Sequence, residues 1–124
     1  MQTFEETQDI LQQLIDKLPP DIFEGLNCGV ILLPDALYGE NGLLTLGRYH
    51  VEPYGLGRYI TIQYGSLIAA FGHLDIQSFN KKLEDTLHHE LTHHLEHKAG
   101  DKSLEHQDKK DVREILQRRY YYNM

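Results

Sequence analysis

Five of the chain's eight histidines lie within ten positions, in the segment LHHELTHHLEH at residues 87–97. Within it, His89, Glu90 and His93 form the pattern H-E-x-x-H. On a helix, residues i and i+4 project from one face a turn apart, so the two imidazoles can reach one metal ion. Zinc accepts nitrogen ligands and, in catalytic sites, keeps one position for water, from which an adjacent glutamate can take a proton. The pattern therefore predicts one zinc ion held by His89 and His93, with Glu90 as general base.

The same histidines allow a second interpretation, a solvated histidine-rich surface that titrates near pH ~6.5. Leu87 and Leu91 lie about 200° around the helix from His89 and His93, so a leucine stripe buries the opposite side. That arrangement suits a solvated face and a cleft-lining ligand face equally. The strongly helical context favours the metal site, as do the acidic residues of GDKSLEHQDKKD, at residues 100–111, which could supply a third ligand.

Two helices are expected to frame the site. The histidine helix is predicted to begin at Asp75 or Ser78 as N-cap and to end at Gly100. Its apolar stripe consists of Ile76, Phe79, Leu83, Leu87, Leu91 and Leu95. An N-terminal helix is predicted from the capping box that Thr3 and Glu6 form, and it stops before the two prolines at 19–20.

Three strands are predicted between these helices: one in CGVILLPD at 28–35, and two in LLTLGRYHV at 43–51 and RYITIQY at 58–64, which form a hairpin. The last strand could be an outer strand that pairs with an extended peptide, or an internal strand. SLIAAF at 66–71 is predicted to be a short helix ended by Gly72, and a final helix is expected over roughly 105–122.

The composition predicts one soluble domain over residues 1–124. The net charge of −7 repels phosphate backbones and argues against nucleic acid as a partner. No apolar run approaches the ~18 residues of a membrane span, and the acidic N-terminus lacks the pattern of a secretory signal. Cys28 is the single cysteine, so no intrachain disulfide is possible. We therefore expect a cytoplasmic monomer.

The segments LHHELTHHLEHKAG and LEHQD resemble the small bacterial zincin-like metallopeptidases called minimal metalloproteases. LPPDIFEGLNCGVILLPD and GRYITIQYGS also resemble that family, so the likeness covers about residues 10–110. The resemblance implies an α+β fold with a small mixed sheet packed on the active-site helix, between N- and C-terminal helices. It also implies that His89, His93 and an acidic residue hold zinc, and that Glu90 is the catalytic base.

The chain departs from the family's short pattern H-E-x-x-H-x-x-G-x-x-D, because Glu96 takes the glycine position and Ala99 the aspartate position. The third ligand is therefore open. Gly100 lies ~10 Å beyond the metal level along the helix, so the chain needs a return of three or four residues. Glu105 and Asp108 both fit. Asp108 is preferred because an acidic residue just before the next helix resembles the family more closely, and Glu105 could then orient a histidine.

The function expected from these residues is zinc-dependent hydrolysis of a peptide or protein substrate. The alternative is a non-catalytic metal-binding or protein-interaction module that keeps the same ligand set.

Overall fold

The computed structural model describes residues 1–102 and combines helices with one small sheet. Its elements in chain order are α1 (Phe4–Asp16), a 3₁₀ turn (Pro20–Phe23), β1 (Val30–Leu33), β2 (Gly47–Glu52), β3 (Gly57–Gln63), α2 (Tyr64–Phe71) and α3 (Ile76–Lys102). The predicted α+β class with a small mixed sheet is confirmed. The helix predicted at 105–122 lies outside the described residues. Within the described part, every helix is too short or too polar to cross a membrane.

The sheet has the order β1-β3-β2, so β3 is its central strand. β1 runs parallel to β3, with Val30 opposite Ile60, and β2 runs antiparallel to it, with Arg48 opposite Thr61. The predicted hairpin of β2 and β3 is therefore confirmed. The interpretation of RYITIQY as an outer strand is wrong, because β3 pairs with β1 along one edge and with β2 along the other, and its residues from Tyr59 to Gln63 are all buried. Internal strands read as nearly continuous apolar runs, and YITIQY is close to that pattern.

The N-terminal helix α1 begins with the predicted capping box. The hydroxyl of Thr3 accepts from the Glu6 backbone N–H at 3.1 Å, and the Glu6 carboxylate accepts from the Thr3 N–H at 2.9 Å. The hydrogen bond from the Thr3 backbone N–H, and to a lesser extent one from the Thr3 side chain, lowers the pKa of the Glu6 carboxyl group. Leu11 is 1% exposed and packs this helix against the hydrophobic core.

The short helix α2 follows β3 without an intervening loop and ends as predicted. The backbone N–H of Gly72 donates to the Ile68 carbonyl at 2.8 Å.

The long helix α3 packs its predicted leucine stripe into the core. Phe79, Leu83, Leu87 and Leu91 are at most 4% exposed, and they form the same cluster as Ile60 and Ile62 of β3. The stripe does not include Ile76, which is 61% exposed in the first turn of the helix. The carboxylate of Asp75 accepts from the Ser78 N–H at 3.3 Å, so Asp75 is the N-cap.

The predicted end of α3 at Gly100 is wrong, because the helix continues to Lys102. A glycine inside a helix costs about 1 kcal/mol relative to alanine. The packing of a 27-residue helix on the core offsets that cost.

Candidate metal centre

His89 and His93 face each other on α3. Their rings are perpendicular, with centroids 4.8 Å apart, and their Nε2 atoms are 3.2 Å apart. Two ligands of a tetrahedral ion at zinc–nitrogen distances are separated by about 3.3–3.4 Å. The two Nε2 atoms therefore have the spacing of two ligands of one ion, which is the arrangement that the i, i+4 spacing predicts.

The protonation state of His89 suits metal binding. Burial, with a smaller contribution from the neighbouring His93, lowers the pKa of His89 to about 4, although the Glu96 carboxylate acts in the opposite direction. His89 is therefore neutral at pH 7. Only a neutral imidazole offers a nitrogen lone pair to a metal, so no deprotonation cost opposes binding at this residue.

Glu90 lies between the two histidines in sequence and is completely buried. Its side chain is 0% exposed, and neither carboxyl oxygen has a hydrogen-bond partner among the described residues. A buried carboxyl group without a partner costs several kcal/mol in a folded protein if it is ionised. Burial accordingly raises the pKa of Glu90 to about 8, against the positive charge of Arg48, which lowers it. Such a group is typical of functional sites.

The strand β2 lies directly against this carboxyl group. A Cβ atom at Gly47 would be 3.2 Å from Oε2 of Glu90, 3.1 Å from its Cγ and 3.0 Å from Cγ2 of Thr86. These distances are shorter than ordinary van der Waals contacts, so a side chain at this position requires the Thr86 and Glu90 side chains to move by a few tenths of an ångström. The first residue of β2 therefore sets the distance between the sheet and the H-E-x-x-H face of α3.

A second buried stripe on α3, which is polar, was not predicted from the sequence. Thr86, Glu90 and His94 are each 0% exposed and recur every four residues, on the side of the helix that meets β2. The four-residue spacing of these side chains is visible in the sequence. It did not predict a buried stripe because polar residues are not expected in a core. Thr86 satisfies its own hydroxyl by donating to the Lys82 carbonyl at 2.8 Å.

His94 has a structural role at the end of this stripe. Its Nδ1 is 2.9 Å from the Tyr49 hydroxyl, and its Nε2 is 2.7 Å from the Glu24 carbonyl oxygen. Because a carbonyl only accepts, Nε2 carries the proton and Nδ1 accepts from Tyr49. Burial lowers the pKa of His94, which favours this neutral form. His94 thus ties α3 to β2 and to the segment after the 3₁₀ turn.

The other histidines of α3 are also withdrawn from solvent. His88, His89, His93 and His97 are all partly buried, and His94 is completely buried. These histidines are therefore not a fully solvated face, although four of the five keep part of their surface exposed.

The proposed third ligands, Glu105 and Asp108, lie outside the described residues. Within residues 1–102, no group of three or more His, Cys, Asp or Glu side chains is arranged to hold a metal ion. Another carboxylate does approach the histidine pair. Oε1 of Glu96 is 3.5 Å from Nδ1 of His93, on the side of that ring away from His89. The described chain therefore brings together two imidazole nitrogens and, on the next residue of the helix, a buried carboxyl group.

Comparisons with known proteins relate the chain to a solved structure. No family model and no curated protein matches the sequence. A solved structure from T. thermophilus, described as a conserved hypothetical protein, is similar to this chain with a TM-score of 0.68 and 32% identity. The match covers 80% of this chain and 99% of that protein. At this identity and coverage, the chain belongs to the same protein family as the T. thermophilus protein.

Proposed function

We propose that this protein is a zinc-dependent metallopeptidase of the zincin type, acting on a peptide or protein substrate. His89 and His93 hold the metal, and Glu90 is the general base. The spacing of the two Nε2 atoms supports the metal site, and so does the resemblance of the H-E-x-x-H segment to the minimal metalloproteases. With a single cysteine, the protein suits a reducing compartment, and we place it in the cytoplasm.

The observation that carries this proposal is the buried carboxyl group of Glu90, which has no hydrogen-bond partner within residues 1–102 and lies next to two histidines with ligand spacing. A purely structural glutamate would be paired or solvated, because an unpaired buried carboxyl group destabilises the fold. The buried carboxyl group of Glu90 is explained if it has a partner in the functional state.

Zinc held by these residues would act as a Lewis acid, which would lower the pKa of its bound water and polarise the substrate carbonyl group. The chain supplies the rest. His89 and His93 offer two imidazole nitrogens from one face of α3. In its ionised form, which a nearby cation would favour, Glu90 takes a proton from the attacking water and returns it to the leaving amine, which is a general acid–base role. The packing of Gly47 on Glu90 keeps bulk water away from one side of that carboxyl group.

The continuation of α3 to Lys102 bears on the third ligand. Lys102 lies nine residues beyond His93, or about 13 Å along the helix axis. Even fully extended, the three residues from Lys102 to Glu105 span at most about 11 Å, whereas the six residues to Asp108 span about 20 Å. Chain reach therefore favours Asp108 over Glu105.

The test of this function compares the wild type with Glu90→Gln in zinc content and in cleavage of a quenched fluorescent peptide library. Glu84→Gln, on an earlier turn of the same helix, is the matched control. We expect both variants to bind about one zinc per chain. Cleavage should fall about 10²–10⁴-fold in Glu90→Gln, the usual contribution of a general base, and stay unchanged in Glu84→Gln. Unchanged cleavage in Glu90→Gln would show that Glu90 is not the base.

A non-catalytic metal-binding or protein-interaction module is the second candidate. The complete burial of Glu90 favours it, because a base that contacts no solvent in this conformation also contacts no substrate. A wild type that binds zinc tightly and cleaves no member of the library would support this candidate. Zinc content below about 0.2 per chain after mild washing would overturn both candidates.

A further inference from the structure

Glu96 stands one turn beyond His93, at the position where the short family pattern has glycine. Its Oε1 atom is 3.5 Å from Nδ1 of His93. The Glu96 side chain is 20% exposed and the His93 side chain 28%, so the contact is largely removed from solvent. A shift of about 0.5 Å would bring the two atoms to hydrogen-bond distance.

The orientation of the His93 ring gives this contact a specific consequence. Nε2 of His93 points at Nε2 of His89, so Nδ1 points to the opposite side, where Glu96 lies. A neutral imidazole carries its proton on one nitrogen and a lone pair on the other, and the hydrogen bond made by one nitrogen selects the state of the other. A carboxylate accepts but does not donate, so Glu96 favours the form with hydrogen on Nδ1.

We propose that Glu96 is a positioning residue that accepts a hydrogen bond from Nδ1 of His93 and thereby holds the Nε2 lone pair toward the metal. This inference rests on the proposed function, because it takes His93 as a metal ligand. Carboxylates that orient metal-bound histidines in this way contribute roughly 10–100-fold to metal affinity. The alternative is an ordinary i, i+3 pair on the helix, which stabilises the helix slightly and contributes nothing to metal binding.

Zinc affinity measured by competition with a chromophoric chelator separates these interpretations. We expect Glu96→Ala to bind zinc about 10–100-fold more weakly than the wild type. Glu96→Gln should recover part of the loss, because its amide oxygen still accepts from Nδ1–H. Glu84→Ala, which removes a glutamate that contacts Lys81 on the same helix, should bind as the wild type does. An affinity of Glu96→Ala within about threefold of the wild type would overturn the inference.

A second measurement does not depend on zinc. In the metal-free protein, the ¹⁵N chemical shifts of the His93 ring report which nitrogen carries the proton. We expect the Nδ1–H form to dominate in the wild type and to lose that dominance in Glu96→Ala, while the thermal midpoint of the metal-free variant stays close to that of the wild type. The same proton distribution in both proteins would overturn the inference. A wild type that shows the expected tautomer but binds no zinc would overturn the proposed function and leave the Glu96 contact established.

Discussion

At the scale of single residues, burial shifts the pKa values of Glu90 and His89 in opposite directions. It raises the pKa of Glu90 to about 8 and lowers that of His89 to about 4, because the charged form is disfavoured in both cases. Both side chains are therefore mostly neutral at pH 7 in the metal-free protein.

The raised pKa of Glu90 predicts a pH dependence of stability in the metal-free protein. Between pH 4.5 and 8 the unfolded chain has lost the Glu90 proton while the folded protein retains it. The free energy of unfolding should therefore fall as pH rises through this window, by at most about 1.4 kcal/mol per pH unit from this group. Other groups contribute too, so the quantity to measure is the difference between the wild type and Glu90→Gln.

Urea unfolding with a chelator present gives that difference. Glu90→Gln keeps the shape of the side chain and does not titrate, so its curve contains every other contribution, including that of His89. We expect the two curves to be parallel below pH 4.5 and the wild type to lose stability relative to the variant above it. Parallel curves across the whole range would contradict the burial of a titrating Glu90 carboxyl group.

At the scale of elements, the site depends on the close approach of β2 to α3. The two elements meet at Gly47, which packs on Thr86 and Glu90. One turn further along the helix, His94 connects the same two elements through the Tyr49 hydroxyl. The strand thus covers the polar stripe of α3, and the neighbouring stripe of leucines, about 60° around the helix, is anchored in the core.

Two glycine substitutions test this arrangement. Gly47→Ala should destabilise the protein by about 1–3 kcal/mol, because its Cβ overlaps Thr86 and Glu90 in a packed interface. Gly100→Ala should stabilise it by up to about 1 kcal/mol, because Gly100 lies inside α3 and no atom of the described residues is within 4 Å of the added Cβ. Both values follow from urea unfolding of the two variants. Destabilisation by Gly100→Ala would instead indicate the C-terminal glycine cap that the sequence suggested.

At the scale of the whole molecule, the proposed metal ligands come from two segments of the chain, α3 and the residues that follow it in sequence. The two histidines belong to a helix held in the core, and the third ligand is expected beyond Lys102. A metal ion that binds the folded protein but not the unfolded chain stabilises the folded state. The stabilisation is about 4 kcal/mol when the free metal concentration is a thousandfold above Kd. Zinc binding is therefore expected to be coupled to the placement of the chain that follows α3.

The third ligand can be identified by comparing two isosteric variants. Asp108→Asn should weaken zinc binding and reduce the zinc-induced rise in the thermal midpoint, because it removes a charged ligand. Glu105→Gln should have a smaller effect on both quantities, since chain reach favours Asp108. The two thermal midpoints in the presence and absence of zinc, together with chelator competition, provide the comparison. A larger loss in Glu105→Gln would reverse the assignment.

Local patterns in the sequence were sufficient to predict most of the elements. Thr3 and Glu6 define the start of α1, the turn residues between Val51 and Arg58 define the hairpin, and the leucine spacing defines the buried side of α3. The i, i+4 spacing of His89 and His93 also predicted that their rings would meet. Each of these features depends on residues a few positions apart, whose relative geometry the helix or hairpin fixes by itself.

Only the tertiary structure decided which strand is central, where α3 passes Gly100, and how the polar side of α3 is covered. β3 is internal because a strand distant in sequence, β1, pairs with it. The burial of Glu90, and with it the raised pKa, follows from Gly47 lying against the helix, 43 residues earlier in the chain. Contacts between residues so far apart depend on how whole elements pack, because local periodicity does not specify the partner of a helix face or of a strand edge.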